Sequence, residues 1–132
     1  MADIEISFDP LRIDFVAAAK LLNAFWAEEK DEGERILAFT NSLCAGAFRE
    51  GVQVGFARAV TDKVNIAYVA DVIVWPDFRG QGVGSALVRA FIEHPELTKV
   101  SAWTLYTHTA HSVYAKLGFE RSGDGSYMRL ER

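Results

Sequence analysis

Two stretches of the chain carry groups suited to chemistry. The first runs from Val72 to Leu87 and reads V-I-V-W-P-D-F-R-G-Q-G-V-G-S-A-L. An apolar run stops at Pro76, three alternate glycines (Gly80, Gly82, Gly84) follow Arg79, and an amphipathic helix begins at once. Such a strand–loop–helix junction offers backbone N–H groups, the positive end of a helix and a guanidinium to a diphosphate. The second stretch is T-H-T-A-H-S-V-Y, from Thr107 to Tyr114. His108 and His111 would share a helix face, but a metal needs a third ligand and His94 lies in another element, so no metal site is expected.

Other glycine-loop patterns fail. A dinucleotide fingerprint G-x-G-x-x-G would end on Ser85 or Leu87, depending on the glycine counted from, and a Walker loop needs a lysine where none lies between Lys63 and Lys99. Asp71 is the only charged residue between Val64 and Trp75. A carboxylate partly desolvated there would be raised toward useful basicity and could also attract an amine; a structural aspartate bonded to a loop is the equal alternative.

These groups need a scaffold, and the apolar pattern supplies one. Ile4 to Phe8 alternates as a strand, and Asp14 can cap a helix carrying Phe15, Ala18, Ala19, Leu22, Phe25 and Trp26. A charged connection covers Ala27 to Gly33, and a short helix spans Glu34 to Thr40. Ser42 to Arg49 and Val52 to Val60 read as a hairpin about Glu50-Gly51, with Val52, Val54, Phe56 and Val60 on one face. Val64 to Trp75 is apolar on both faces, as in a strand buried in mid-sheet. The helix after the glycines places Val83, Ala86, Leu87, Ala90 and Phe91 on one side and ends before Pro95. Lys99 to Thr107 is another interior strand, Ala110 to Leu117 a short helix stopped by Gly118, and Phe119 to Arg121 with Tyr127 to Leu130 a closing hairpin. The order β-α-α-β-β-β-α-β-α-β-β predicts one mixed sheet with helices on its faces.

Composition narrows the partners. A chain of 132 residues, half of them apolar, fits a single domain spanning 1–132. A net charge of −4 argues against a general affinity for nucleic acid or anionic membrane. No apolar run approaches the roughly 20 residues that span a bilayer, and the acidic start M-A-D-I-E-I lacks the pattern of a signal peptide. The lone cysteine, Cys44, reads as a core thiol, and a cytoplasmic protein is expected.

The pattern Arg79-x-x-Gly82-x-Gly84 behind an apolar strand resembles the acyl-CoA loop of the GNAT superfamily of N-acetyltransferases. Some 30 residues on, T-H-T-A-H-S-V-Y-A-K-L-G-F is similar to that family's second motif, with Ala110, Tyr114, Gly118 and Phe119 in register. The resemblance covers Ser42 to Leu130 well and the N-terminal helices in outline. It implies an α/β (α+β) fold with a mixed, mostly antiparallel central sheet, splayed middle strands and helices on both faces. It also implies direct transfer of an acetyl group from acetyl-CoA, as co-substrate, to an amine of a small molecule or peptide.

Residue by residue, the resemblance implies that Arg79, Gly80, Gln81, Gly82, Val83, Gly84 and Ser85 hold the diphosphate. Freed backbone groups of Val72, Ile73 and Val74 would hold the pantetheine arm, and Tyr114 would protonate the departing thiolate. Many relatives carry an asparagine where Thr107 stands; a threonine hydroxyl can serve the pantetheine as well. The glutamate base of many relatives falls here on Tyr68 or Ala70, which leaves Asp71, or a water chain, as the base. The acceptor side would be lined by the N-terminal helices near Trp26, Glu28 and Glu29, with Tyr106 and His111 as further contacts. A non-catalytic acyl-CoA-sensing module is the alternative, and the exposed sheet edges would allow a homodimer.

Overall fold

A computed structural model of the chain describes residues 3–25, 30–107, 110–122 and 127–131. The elements are β1 (Glu5–Ser7), α1 (Phe15–Phe25), α2 (Glu32–Thr40), β2 (Leu43–Arg49), β3 (Val52–Thr61), β4 (Ile66–Val74), α3 (Val83–Ile92), β5 (Ala102–Tyr106), α4 (His111–Ala115), β6 (Glu120–Ser122) and β7 (Tyr127–Glu131). They follow the order read from the sequence. One seven-stranded sheet runs β1-β2-β3-β4-β5-β7-β6. Every neighbouring pair is antiparallel except β4 and β5, which run parallel across the α3 crossover.

Local chemistry sets the helix ends. Asp14 Oδ1 accepts the Ala17 N–H at 2.9 Å and so caps α1 as its side chain predicts. Helix α2 begins at Glu32, two residues before the expected start, with Glu32 and Glu34 in the first turn where the helix dipole favours acids. Helix α3 is entered through Gly82 in the left-handed conformation. It ends at Ile92, and Pro95 opens a separate 3-10 turn at Pro95–Leu97.

Each face of the sheet carries its own core. On one, α3 buries Val83, Leu87, Val88 and Phe91 against Val54, Ala57, Ala59, Val69, Trp103 and Leu105. Full burial of such side chains contributes roughly 1.5–3 kcal/mol each, so packing fixes the position of α3 on the sheet. Gly55 allows this close approach, since a Cβ there would lie 2.8 Å from Val83 Cγ1. On the other face, Ala18, Ala19 and Leu22 of α1 and Phe39 of α2 pack with Cys44, Phe56 and Ile73. Cys44 is buried in this core, its Sγ 3.4 Å from the Phe39 carbonyl, and burial pushes its thiol up to about 12.

The strands depart from the sequence expectation in two places here. The β2–β3 register jumps from Ala47↔Gly55 to Phe48↔Gln53, so Val54 is an extra residue and turns toward α3, away from the face of Phe56. Strand β4 is central, but Ile66 and Tyr68 in its first half are exposed. The expectation of burial on both faces holds only near its C-terminal end, where α1 covers the sheet.

Candidate active site

Strands β4 and β5 part company midway. Their parallel ladder runs only from Ile66↔Ala102 to Val69↔Leu105. Beyond it β4 stays with β3 as far as Val74↔Gly55, while β5 stays with β7 as far as Tyr106↔Tyr127. The separation starts at a bulge: Val69 pairs with Ala59 and Asp71 with Arg58, leaving Ala70 over. A bulge bends and twists its strand, which turns β4 away from β5 here.

The ladder fixes which backbone groups face the gap. Trp75 donates its N–H to the Val54 carbonyl at 2.9 Å. By antiparallel alternation, Ile73 then faces β3, while the N–H and C=O groups of Val72 and Val74 face the side that β5 has left. Val72 and Val74 therefore present backbone groups to the gap. Ile73, grouped with them in the sequence reading, does not: its polar backbone is turned to β3 and its side chain is only 5% exposed.

At the end of β4 the chain makes a 3-10 turn, Pro76–Phe78, and enters the glycine loop. Gly80 and Gly82 have φ of 76° and 83°, and a Cβ on either would meet nothing within 4 Å. The loop thus combines a left-handed backbone with an open outer side. Gly84 does something different. Its Cβ would meet Val72 Cγ1 at 3.5 Å and Val74 Cγ2 at 3.9 Å, so Gly84 seats α3 on β4. The first helical bond of α3 runs from the Ala86 N–H to the Gly82 carbonyl, which leaves the N–H groups of Val83, Gly84 and Ser85 without helical partners. Arg79 donates Nε–H to the Val74 carbonyl at 3.3 Å and lies over the Phe25 ring of α1. The Gln81 amide folds back, its Nε2 reaching the Asp77 carbonyl at 3.5 Å and its Oε1 accepting from Arg49.

Beyond β5, Thr107 Oγ1 accepts the Ala110 N–H at 3.1 Å and fixes the turn into α4. Among the described residues its hydroxyl hydrogen has no acceptor. Tyr114 is 8% exposed, packs its ring edge-on to Phe119 at 6.3 Å, and makes no hydrogen bond through its hydroxyl among the described residues. Burial pushes its phenol up, so it stays protonated well into alkaline solution. His111 is the first residue of α4; its Nε2 is buried and has no hydrogen-bond partner among the described residues.

The face of β4 and β5 opposite α3 carries Tyr68 and Tyr106, edge-to-face at 6.1 Å, with Tyr106 60% exposed. Burial, then Asp71 and Tyr106, push the Tyr68 phenol up. Asp71 is not the uncompensated carboxylate its isolation in sequence suggests. Its Oδ2 takes the Arg58 Nε–H at 2.7 Å, and Arg58 Nη1 also reaches Ser42 Oγ at 3.2 Å. A guanidinium at that distance engages the carboxylate in a charge-assisted hydrogen bond, an arrangement that suits a strut between β3 and β4. Arg58, Arg49 and Phe25 were missed from sequence. A lone charge in each of two apolar strands was the one signal for the Arg58–Asp71 pair. Trp26, Glu28, Glu29 and His108 lie outside the described residues. Among the described residues no three His, Cys, Asp or Glu cluster as a metal would require.

Known proteins are similar to this chain in sequence and fold. The family model for the acetyltransferase (GNAT) domain matches residues 40–121, well over half of the chain. A putative acetyltransferase of the GNAT family from Xanthomonas campestris pv. campestris is 33% identical with a TM-score of 0.79, covering 92% of this chain and 87% of that one. The PaiA N-acetyltransferase of Thermoplasma acidophilum, solved in complex with coenzyme A, has the same fold at 19% identity and a TM-score of 0.74, covering 98% of this chain and 99% of its own. The uncharacterized N-acetyltransferase ycf52 of Pyropia yezoensis is 38% identical over 73 residues, 54% of this chain and 42% of that protein, so the match spans about two fifths of that relative's length. The matched domain holds both the glycine loop and the Tyr114 helix, and the chain belongs to the GNAT family of acetyltransferases.

Proposed function

We propose that the protein transfers an acetyl group from acetyl-CoA directly to a primary amine of a small molecule or peptide. The observation that carries this reading is the gap between β4 and β5, lined by backbone groups of Val72 and Val74, beside the open glycine loop. The coenzyme-bound neighbour of the same fold supports it.

Acetyl-CoA supplies an activated thioester. The chain's part is to bind and orient it. N–H groups of Val83, Gly84 and Ser85, at the positive end of α3, hold the diphosphate, and Arg79 adds a charged donor. Backbone groups of Val72 and Val74 pair with the amides of the pantetheine arm, as a β-strand would. One of their N–H groups, fixed in advance, stabilises charge developing on the thioester oxygen. The amine nitrogen forms a bond to the acetyl carbon, the C–S bond breaks, and the neutral Tyr114 phenol gives its proton to the thiolate. The phenol is reprotonated, through water, by the proton the nitrogen loses as the amide forms. Asp71 is clamped by Arg58, so the ammonium proton leaves through water.

Calorimetric titration with acetyl-CoA, with ATP and NAD as controls, tests the coenzyme. Thiol release from acetyl-CoA in a panel of primary amines tests the transfer. Binding with amine-dependent release is expected. Binding without release under any amine would instead mark an acyl-CoA-sensing module, and no binding would overturn both readings.

A further inference from the structure

A second guanidinium reaches the glycine loop, from a strand outside the Arg79–Gly84 motif. Arg49 ends β2, and its Nη1 donates to the amide oxygen of Gln81, the residue between Gly80 and Gly82. That amide is folded back onto the Asp77 carbonyl, so Gln81 links Arg49 to the base of the loop. The Nε–H of Arg49 is buried and has no hydrogen-bond partner among the described residues. No carboxylate among the described residues pairs with Arg49 either, whereas Arg12 sits on Glu5 and Arg58 on Asp71, each at 2.7 Å.

Arg49 is only partly buried, but its Nε–H is out of reach of water and its Nη1 meets a neutral amide, so no anion among the described residues compensates its charge. Arg49 also keeps an orphaned donor, and both are costly unless an anion arrives. The loop that Arg49 touches is also the open one. Gly80 and Gly82, on either side of Gln81, would each leave an added Cβ in empty space. Arg79 stands on the β4 side of this loop, against the Val74 carbonyl, and Arg49 on the β2 side, against Gln81.

We propose that Arg49 is a second coenzyme-binding arginine, its guanidinium donating to a phosphate oxygen of acetyl-CoA while Arg79 does so from the other side of the loop. This rests on the coenzyme reading above. It adds a charge to the site from β2, so the coenzyme's phosphates are held between two strands and not by the glycine motif alone.

The competing role is a neutral strut that shapes the loop through Gln81. Titrations of wild type, Arg49→Met and Arg49→Lys with acetyl-CoA, at low and high salt, separate the two; 3′-dephospho-CoA then locates the phosphate. A direct contact predicts that Arg49→Met, still folded by its melting curve, loses about tenfold or more in acetyl-CoA affinity. It predicts that Arg49→Lys recovers most of that loss, and that the salt dependence of Kd flattens in the methionine variant only. A loss of the same size for dephospho-CoA assigns the diphosphate; a smaller one assigns the 3′-phosphate. Unchanged affinity in Arg49→Met overturns the proposal. So does a lysine variant no better than methionine with the wild-type salt dependence, the signature of a strut. Wild-type protein that binds no acetyl-CoA would remove the underlying functional reading and this proposal with it.

Discussion

The guanidinium of Arg79 lies over the ring of Phe25, 4.7 Å from its centroid, and so joins the glycine loop to the last turn of α1. The same side chain donates to the Val74 carbonyl, one of the groups facing the gap. Arg79 is thus parked across the place where a pantetheine arm would pair. On the proposed reading, coenzyme binding would draw it off both contacts. A cation–π contact at an exposed ring contributes about 0.5–1 kcal/mol. Phe25→Leu should therefore raise acetyl-CoA affinity by about two- to fivefold. A lower affinity in calorimetry would mean that Phe25 positions Arg79 for the phosphate instead.

Tyr114 has a buried ring, a phenol pushed up by burial, and no described hydrogen bond to its hydroxyl. Tyr114→Phe should leave the melting temperature and acetyl-CoA affinity nearly unchanged. It should lower kcat by about 10–100-fold, the range for loss of an acid whose leaving group is already good. The phenol keeps its proton beyond the usual tyrosine range, near pH 10. Wild-type kcat should accordingly show no Tyr114-dependent fall below that range, and the phenylalanine variant should lack the alkaline limb altogether. Equal rates for the two proteins across pH would make Tyr114 a packing residue.

Much of this was legible from residue types and spacing, because the features concerned are local. The Arg79–Gly84 loop, the Asp14 cap and the stop at Gly118 each follow from backbone chemistry within a few residues. The extra residues Val54 and Ala70 were not legible. A bulge is a mismatch between two strands, and period-two alternation in one strand carries no record of its partner's register. That is why Ile73 was grouped with Val72 and Val74: which backbone groups face the gap depends on the β3 ladder. The partner of Asp71 was hidden for a similar reason, since Arg58 is 13 residues away in sequence and directly opposite in the sheet.

The two motif glycines should fail differently. Gly82 has a φ of 83°, a conformation costing an L-residue roughly 1–2 kcal/mol, but open space where a Cβ would go. Gly84 is helical and meets Val72 and Val74 at ordinary contact distances. Gly82→Ala should therefore lose stability in urea titration and weaken acetyl-CoA binding, because the loop must refold around the strain. Gly84→Ala should fold with near wild-type stability. If the alanine at position 84 is the more damaging for stability, the division of roles between strain and seating is wrong.

Asp62 closes the β3–β4 turn through its carboxylate. Its oxygens accept the N–H groups of Val64, Asn65 and Ile66, at 3.0, 2.7 and 3.1 Å, together with the Asn65 side chain. These donors hold its carboxyl well below the usual range. A depressed folded-state value means that the unfolded chain takes up the proton first. The stabilisation is therefore complete above the ordinary carboxylate value, near pH 4, and is lost as pH falls from there through the folded value. Urea midpoints of wild type and Asp62→Ala should differ at neutral pH and converge under acid. A gap that stays constant down to low pH would show that the turn does not depend on the charge.

Asp71 and Arg58 decide between a strut and a base. Their side chains are only 12% and 19% exposed, and the pair sits beside the bulge where β4 leaves β5. Removing one partner leaves the other charge in a poor environment, at a cost of roughly 2–3 kcal/mol for a pair that keeps some solvent. Asp71→Asn should therefore lower stability by about that much, and Arg58→Met by a similar amount. The double variant should be less unstable than the sum of the two, since neither charge is then stranded. Catalysis answers the remaining question. If the carboxylate is a strut, kcat of Asp71→Asn, measured on folded protein with an acceptor amine, should stay within about tenfold of wild type and keep its pH profile. A base would behave otherwise: the rate would collapse and the acidic limb of the profile would vanish, even in solution conditions where the variant is fully folded.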